Sequence, residues 1–175
     1  MAKLNFLPQK SDPEYSDAVH LDLREFERAR RNPKQPSYTF DTLQELRSLH
    51  PSLAFVIGAD QLKDLSTWYR FPEILKLCHW LVLERKPYQD ETALRTLHQW
   101  SAGGLATPTS TSNTWQICNS AGFLRLVPTD APPLSSTKIR ESLSKQDSRH
   151  PVLETPAGLL PEVWAYLKKH QLYGI

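Results

Sequence analysis

Apolar residues follow two different rhythms along this chain. LAFVI, Leu53 to Ile57, is apolar without a break, as expected of a parallel strand covered on both faces, and it predicts a central strand. Trp80 to Leu83 and Phe123 to Val127 are shorter runs that predict two more, and Ala18 to Phe26 reads as a fourth, the first in the chain. Between them the spacing changes to three and four. Leu43, Leu46 and Leu49 form one stripe and predict a helix over Thr39 to Leu49; Leu62 and Leu65 predict another over Gln61 to Tyr69. A short helix is expected from Pro72, and a longer one over Tyr88 to Trp100. SAGGLATPTSTSNT, Ser101 to Thr114, is too poor in apolar residues to be more than a loop. In the closing LLPEVWAYLKKHQLYGI, Pro161 suits a first helical turn, with Val163, Trp164 and Leu167 on the buried face. There is no internal repeat.

Alternation of strand and helix predicts a single α/β domain over residues 1–175, a Rossmann-like doubly wound parallel sheet with ligands at the carboxyl ends of its strands. A hydrophobic content of 39% is enough to fill a core. The net charge of +2 is too small to indicate a nucleic-acid surface; Arg24, Arg28, Arg30, Arg31 and Lys34 read as a solvated loop. Cys78 and Cys118 lack CxxC spacing, so neither a zinc site nor a disulfide framework is expected, and a reducing cytoplasm fits. No run of about 18 apolar residues predicts a membrane span, and no signal-peptide core is seen at the N-terminus.

Candidate chemistry sits in four places. PLSSTKIRESL sets Ser135, Ser136 and Thr137 where a helix begins and follows them with Lys138 and Arg140; hydroxyls, free N–H groups and a guanidinium suit a phosphate. The plainer alternative is that Ser136 or Thr137 caps the helix carrying Ile139 and Leu143. Gly58 and Asp60 follow LAFVI directly, so the carboxylate stands where such sheets hold ligands and could accept two ribose hydroxyls, unless it merely caps the next helix. Trp68 in STWYRFPEIL could stack on a flat ring, or belong to the core. Thr39 in PSYTFDTL could bond a substituent on that ring, or cap its own helix.

Taken in order, PSYTFDTLQELR, FVIGADQLKDLSTWYRFPEIL, LVLERKPY, LSSTKIRESL and PEVWAYLKKHQLY make the chain resemble bacterial nicotinate-nucleotide adenylyltransferases from about Leu21 onward. SSTxIR alone is shared with sister nucleotidyltransferases such as those using phosphopantetheine, whereas SYT, GAD and WY together point to the nicotinate enzymes. The resemblance implies transfer of AMP from ATP to nicotinate mononucleotide, releasing pyrophosphate and forming deamido-NAD, with Mg²⁺ carried on the ATP phosphates. It implies that Ser135, Ser136, Thr137 and Arg140 hold those phosphates, Thr137 and Arg140 also supporting transition-state charge. Gly58 and Asp60 would bind the adenosine ribose, and Arg85 would lie beside the adenine. Trp68 would stack on the pyridine, whose carboxylate the Tyr69 backbone amide and the Thr39 side chain would receive.

The family opens with a glycine-rich GGxFxPxHxGH segment, but here no glycine precedes Gly58, and His20, His50, His79, His98, His150 and His170 include no HxGH pair. No catalytic histidine is therefore assigned. In a 3-2-1-4-5-6 sheet, Ala18 to Phe26 would be strand 3 and LAFVI strand 4, leaving a gap of roughly 14 Å where strands 1 and 2 belong. The expectation is a nucleotidyltransferase domain lacking its first two strands, N-terminally incomplete and inactive by itself. The alternatives are a catalytically dead nucleotide-binding remnant or interaction protein, and a sister phosphopantetheine adenylyltransferase.

Overall fold

The computed structural model describes residues 20–85, 91–130, 137, 139–141, 155 and 159–172. The chain divides into two units, one running from Arg24 to Pro132 and the other formed by Met1–Leu23 with Pro133–Ile175.

In the first unit five strands, β1 (Ala54–Gly58), β2 (His79–Glu84), β3 (Ala106–Pro108), β4 (Thr114–Ile117) and β5 (Phe123–Pro128), form one sheet in the order β1-β2-β5-β4-β3. β1, β2 and β5 run parallel, and β4 and β3 are antiparallel additions. Burial alternates along β2, with Trp80, Val82 and Glu84 inside. Trp80 is fully buried, and its indole Nε1 donates to the Leu75 carbonyl at 3.1 Å, so the ring enters the core without stranding its polar atom. Leu43, Leu62, Leu65, Ile74, Leu97 and Leu124 complete that core.

Among the described residues four α-helices accompany the sheet: α1 (Arg24–Arg31), α2 (Thr39–Leu49), α3 (Ala59–Leu62) and α4 (Glu91–Ala102). The leucine stripe locates α2 to the residue, with Phe40 and Leu43 buried. The helix expected over Gln61 to Tyr69 is instead α3 followed by a 3₁₀ turn, Leu65–Thr67. Asp64, Ser66 and Thr67 explain the break. The Thr67 hydroxyl and amide both donate to the Asp64 carbonyl, at 2.7 and 2.9 Å, taking an acceptor that a continuing helix would need. The segment after Pro72 is likewise 3₁₀, Glu73–Leu77.

Four expectations are overturned. Ala18 to Phe26 contains no strand among its described residues: 20–23 have no regular structure and α1 begins at Arg24. Phe26, the one large apolar side chain of α1, is 66% exposed, so there was no inward face to support a strand. Glutamates in its first turn, arginines in its last and a Glu27–Arg31 pair at 3.2 Å favour the helix. For the same reason the Arg24–Arg31 cluster is not a loop, and Arg28 is tied to α2: its guanidinium donates to Ser37 Oγ (3.2 Å), Thr42 Oγ1 (3.3 Å) and Glu45 Oε1 (2.8 Å). The Ser101–Thr114 stretch is not all loop, because Ala106–Pro108 pairs with Trp115–Ile117 as a hairpin, turned at Asn113 with φ 54°. Finally, β1 is not central among the described residues: it is the edge strand of their sheet, and Val56 is 53% exposed.

In the other unit α5 (Pro161–Lys169) carries Pro161 in its first turn and buries Val163, Trp164 and Leu167, as the sequence predicts, against Ile139, Leu159 and Leu172. Thr137 and 139–141 are helical.

Candidate functional site

The three parallel strands end at one level. Gly58 lies opposite Leu83, and Glu84 opposite Pro128. Immediately beyond, the Thr129 amide and hydroxyl both donate to the Glu84 carbonyl, each at 2.9 Å, so the chain leaving β5 is clipped to the end of β2. Asp60 and Arg85 both stand on this rim, two residues past β1 and one past β2, and both are exposed.

Gly58 is extended, with φ −78° and ψ 156°, and caps α3 through its backbone alone. A Cβ at Gly58 would collide with Asp60 Oδ1. The glycine therefore makes room for the Asp60 carboxylate to fold back over the strand end, a nearer reason for its presence than ligand approach to the backbone. Asp60 does not cap α3, and among the described residues its carboxylate has no hydrogen-bond partner. The helix-cap alternative is thus removed. Thr39 behaves the same way: it is the first residue of α2, Tyr38 holds the cap position, and no side-chain cap bond is made.

After the 3₁₀ turn the chain reverses over Trp68 to Phe71, with the Phe71 amide donating to the Trp68 carbonyl at 3.1 Å. Trp68 is half-buried and meets Trp80 edge-on, ring centroids 6.5 Å apart, so it packs on the core. Tyr69 is 47% exposed and stacks on Tyr38, at 4.1 Å and 21°, while Phe40 meets it edge-on at 6.1 Å. The Tyr69 amide has no partner among the described residues. Arg70 sits in the left-handed region at φ 58°, and its guanidinium carbon lies 4.4 Å from the centre of the Phe40 ring. Thr39 lies between Tyr38 and Phe40, so the stack brings the start of α2 against the 68–71 turn.

The structure thus assembles Gly58, Asp60 and Arg85 on the rim, and Thr39 with Tyr69 beside the 68–71 turn. Thr137 and Arg140 are exposed helical residues of the other unit, and Ser135 and Ser136 lie outside the described residues. Tyr38, Phe40 and Arg70 were not singled out from sequence; the signal available was an aromatic on either side of Thr39 and a cation directly after WY. Among the described residues no group of three His, Cys, Asp or Glu side chains could hold a metal, and no helix is long and apolar enough to cross a membrane. His79 has a structural post at the opposite end of β2, where its Nδ1 accepts the Phe123 amide at 3.3 Å and its ring stacks on Phe123.

The sequence profile of the cytidylyltransferase-like family matches residues 13–142. A probable nicotinate-nucleotide adenylyltransferase of Cronobacter sakazakii is 33% identical over 174 residues, 95% of this chain and 73% of the relative. One from Cellvibrio japonicus is 33% identical over 164 residues, covering 89% of this chain and 67% of its own. Among solved structures, Plasmodium falciparum nicotinic acid mononucleotide adenylyltransferase complexed with NaAD superposes with a TM-score of 0.51 at 19% identity, over 81% of this chain and 59% of that one. At that identity the superposition shows a common fold.

Proposed function

We propose, from the premise that this chain belongs to the nicotinate-nucleotide adenylyltransferases of the cytidylyltransferase-like family, that it binds ATP and nicotinate mononucleotide for adenylyl transfer. In that reaction an oxygen of the mononucleotide 5′-phosphate attacks the α-phosphorus of ATP. The bond to the bridging oxygen breaks, pyrophosphate departs, and deamido-NAD forms; catalysis rests on alignment and charge stabilisation. Mg²⁺ enters with the ATP phosphates as part of that substrate.

The observation that carries this proposal is the Asp60 carboxylate, unspent among the described residues, exposed at the carboxyl end of β1 and given its place by Gly58. Ionised, it is an acceptor only, matched to the paired hydroxyls of a ribose. Arg85 shares its rim and suits the adenine side of the nucleotide. Trp68, fixed against Trp80, is the flat surface for a pyridine, and the Tyr69 amide with the Thr39 hydroxyl are donors for the ring carboxylate. Family resemblance assigns the triphosphate to Ser135, Ser136, Thr137 and Arg140, where hydroxyls and a guanidinium meet charge that grows as pyrophosphate leaves.

Calorimetric titration of the chain with MgATP and, separately, with nicotinate mononucleotide tests the proposal. Saturable binding of both is expected. Binding of neither at millimolar ligand would overturn it, and binding of ATP alone would leave the pyridine assignment without support.

A further inference from the structure

Acid and amide forms of the pyridine nucleotide differ at one ring substituent, a carboxylate against a neutral carboxamide. The Tyr69 amide and the Thr39 hydroxyl can donate to either, because each form presents an sp² oxygen. They orient the ring but discriminate by charge only weakly. A full positive charge held near that oxygen would discriminate.

Arg70 supplies one. Its backbone sits at φ 58°, a conformation uncommon for any residue but glycine, which turns the side chain back toward the start of α2. There the guanidinium lies over Phe40, the residue after Thr39, with its carbon 4.4 Å from the ring centre. The ring fixes the cation without neutralising it. Among the described residues Arg70 has no carboxylate partner, and the residue is exposed, so no carboxylate offsets its charge over the ring that follows Thr39 in sequence. The Tyr38–Tyr69 stack and the edge-on Phe40–Tyr69 contact hold turn and helix start in one arrangement.

We infer that Arg70 is a specificity-determining residue, selecting a pyridine nucleotide that bears a ring carboxylate over one that bears a carboxamide. This rests on the function proposed above. Arg70 takes no part in the transfer step, and its effect falls on the affinity of one substrate.

The test is titration of the chain and of Arg70→Met and Arg70→Lys with nicotinate mononucleotide, nicotinamide mononucleotide and MgATP, at low and at high salt. Arg70→Met should weaken the acid at least about tenfold, the scale of one charge-assisted contact, and leave the amide and ATP within about twofold. Arg70→Lys should restore part of the preference, and raising salt should shrink it in the parent protein but not in Arg70→Met. Equal weakening of acid and amide would overturn the inference, making Arg70 a support for the turn, and so would an unchanged acid affinity. In both cases the parent protein still binds nicotinate mononucleotide and the proposed function stands. If the parent binds neither pyridine nucleotide, the pyridine assignment falls and the inference falls with it.

Discussion

Asp60 and Gly58 act as a pair, because the absent side chain of one is the space occupied by the other. Two substitutions should therefore give one result. Asp60→Ala removes the carboxylate and is expected to weaken MgATP binding by about 1.5 to 3 kcal/mol, the net worth of hydrogen bonds to a charged acceptor. Gly58→Ala keeps the carboxylate but displaces it, and should weaken MgATP to a similar extent. Titration of both variants checks this; an unchanged ATP affinity in Asp60→Ala would remove the residue from the nucleotide site. At this scale the sequence marked Asp60 and Thr39 as candidates and left open what their side chains do. Asp60 and Thr39 were equally compatible with helix capping, and only the unmade cap bonds decide against it. Arg70 was illegible because its role depends on a left-handed backbone and on Phe40, thirty positions earlier in the chain. Neither a distant ring nor a sign of φ is written in a local pattern.

Elements were legible where one side of the pattern met the core, and misread where it did not. α2, β2 and β5 carry buried residues and appear within a residue or two of their expected bounds, and α5 begins at the expected Pro161. α1 buries nothing, so no apolar period announced it, and its charges were all that remained to read. The β3–β4 hairpin was hidden by brevity, since three and four residues are too few for a period to stand out from neighbouring Thr, Ser and Pro. What holds α1 is polar: Arg28 on Ser37, Thr42 and Glu45, and the Thr42 hydroxyl donating to Glu25 at 2.7 Å. Arg28→Ala should accordingly cost about 1 kcal/mol, screened as a partly exposed pair is, and free α1 without disturbing the sheet. Limited trypsin digestion would show it as faster cleavage after Arg30 and Arg31; unchanged cleavage would mean α1 is held by something else.

Across the first unit the core reports on opening of the whole fold. Cys78 is buried beneath the amino end of β2, and burial pushes its thiol from 9.0 up to about 12, opposed in part by a backbone hydrogen bond with Phe55 and by the Arg47 charge. Unfolded, the thiol ionises at its ordinary value while the folded form keeps its proton, so this contribution to stability is complete below pH 9 and is lost as pH rises toward 12. The native protein should therefore protect Cys78 from iodoacetamide at pH 8 and expose it in denaturant; peptide mapping would locate the adduct, and rapid native labelling of Cys78 would contradict its burial. The position of β1 carries a different consequence. A parallel edge strand has alternate amides turned outward, without a ladder acceptor among the described residues, while β2 is bonded on both sides. In deuterated buffer, amides of β1 should therefore divide by parity, every second one exchanging within the dead time and the rest persisting, whereas Leu81, Val82 and Leu83 exchange only through the largest openings of the sheet. Uniform protection along β1 would reveal a strand bonded to its outer side in solution.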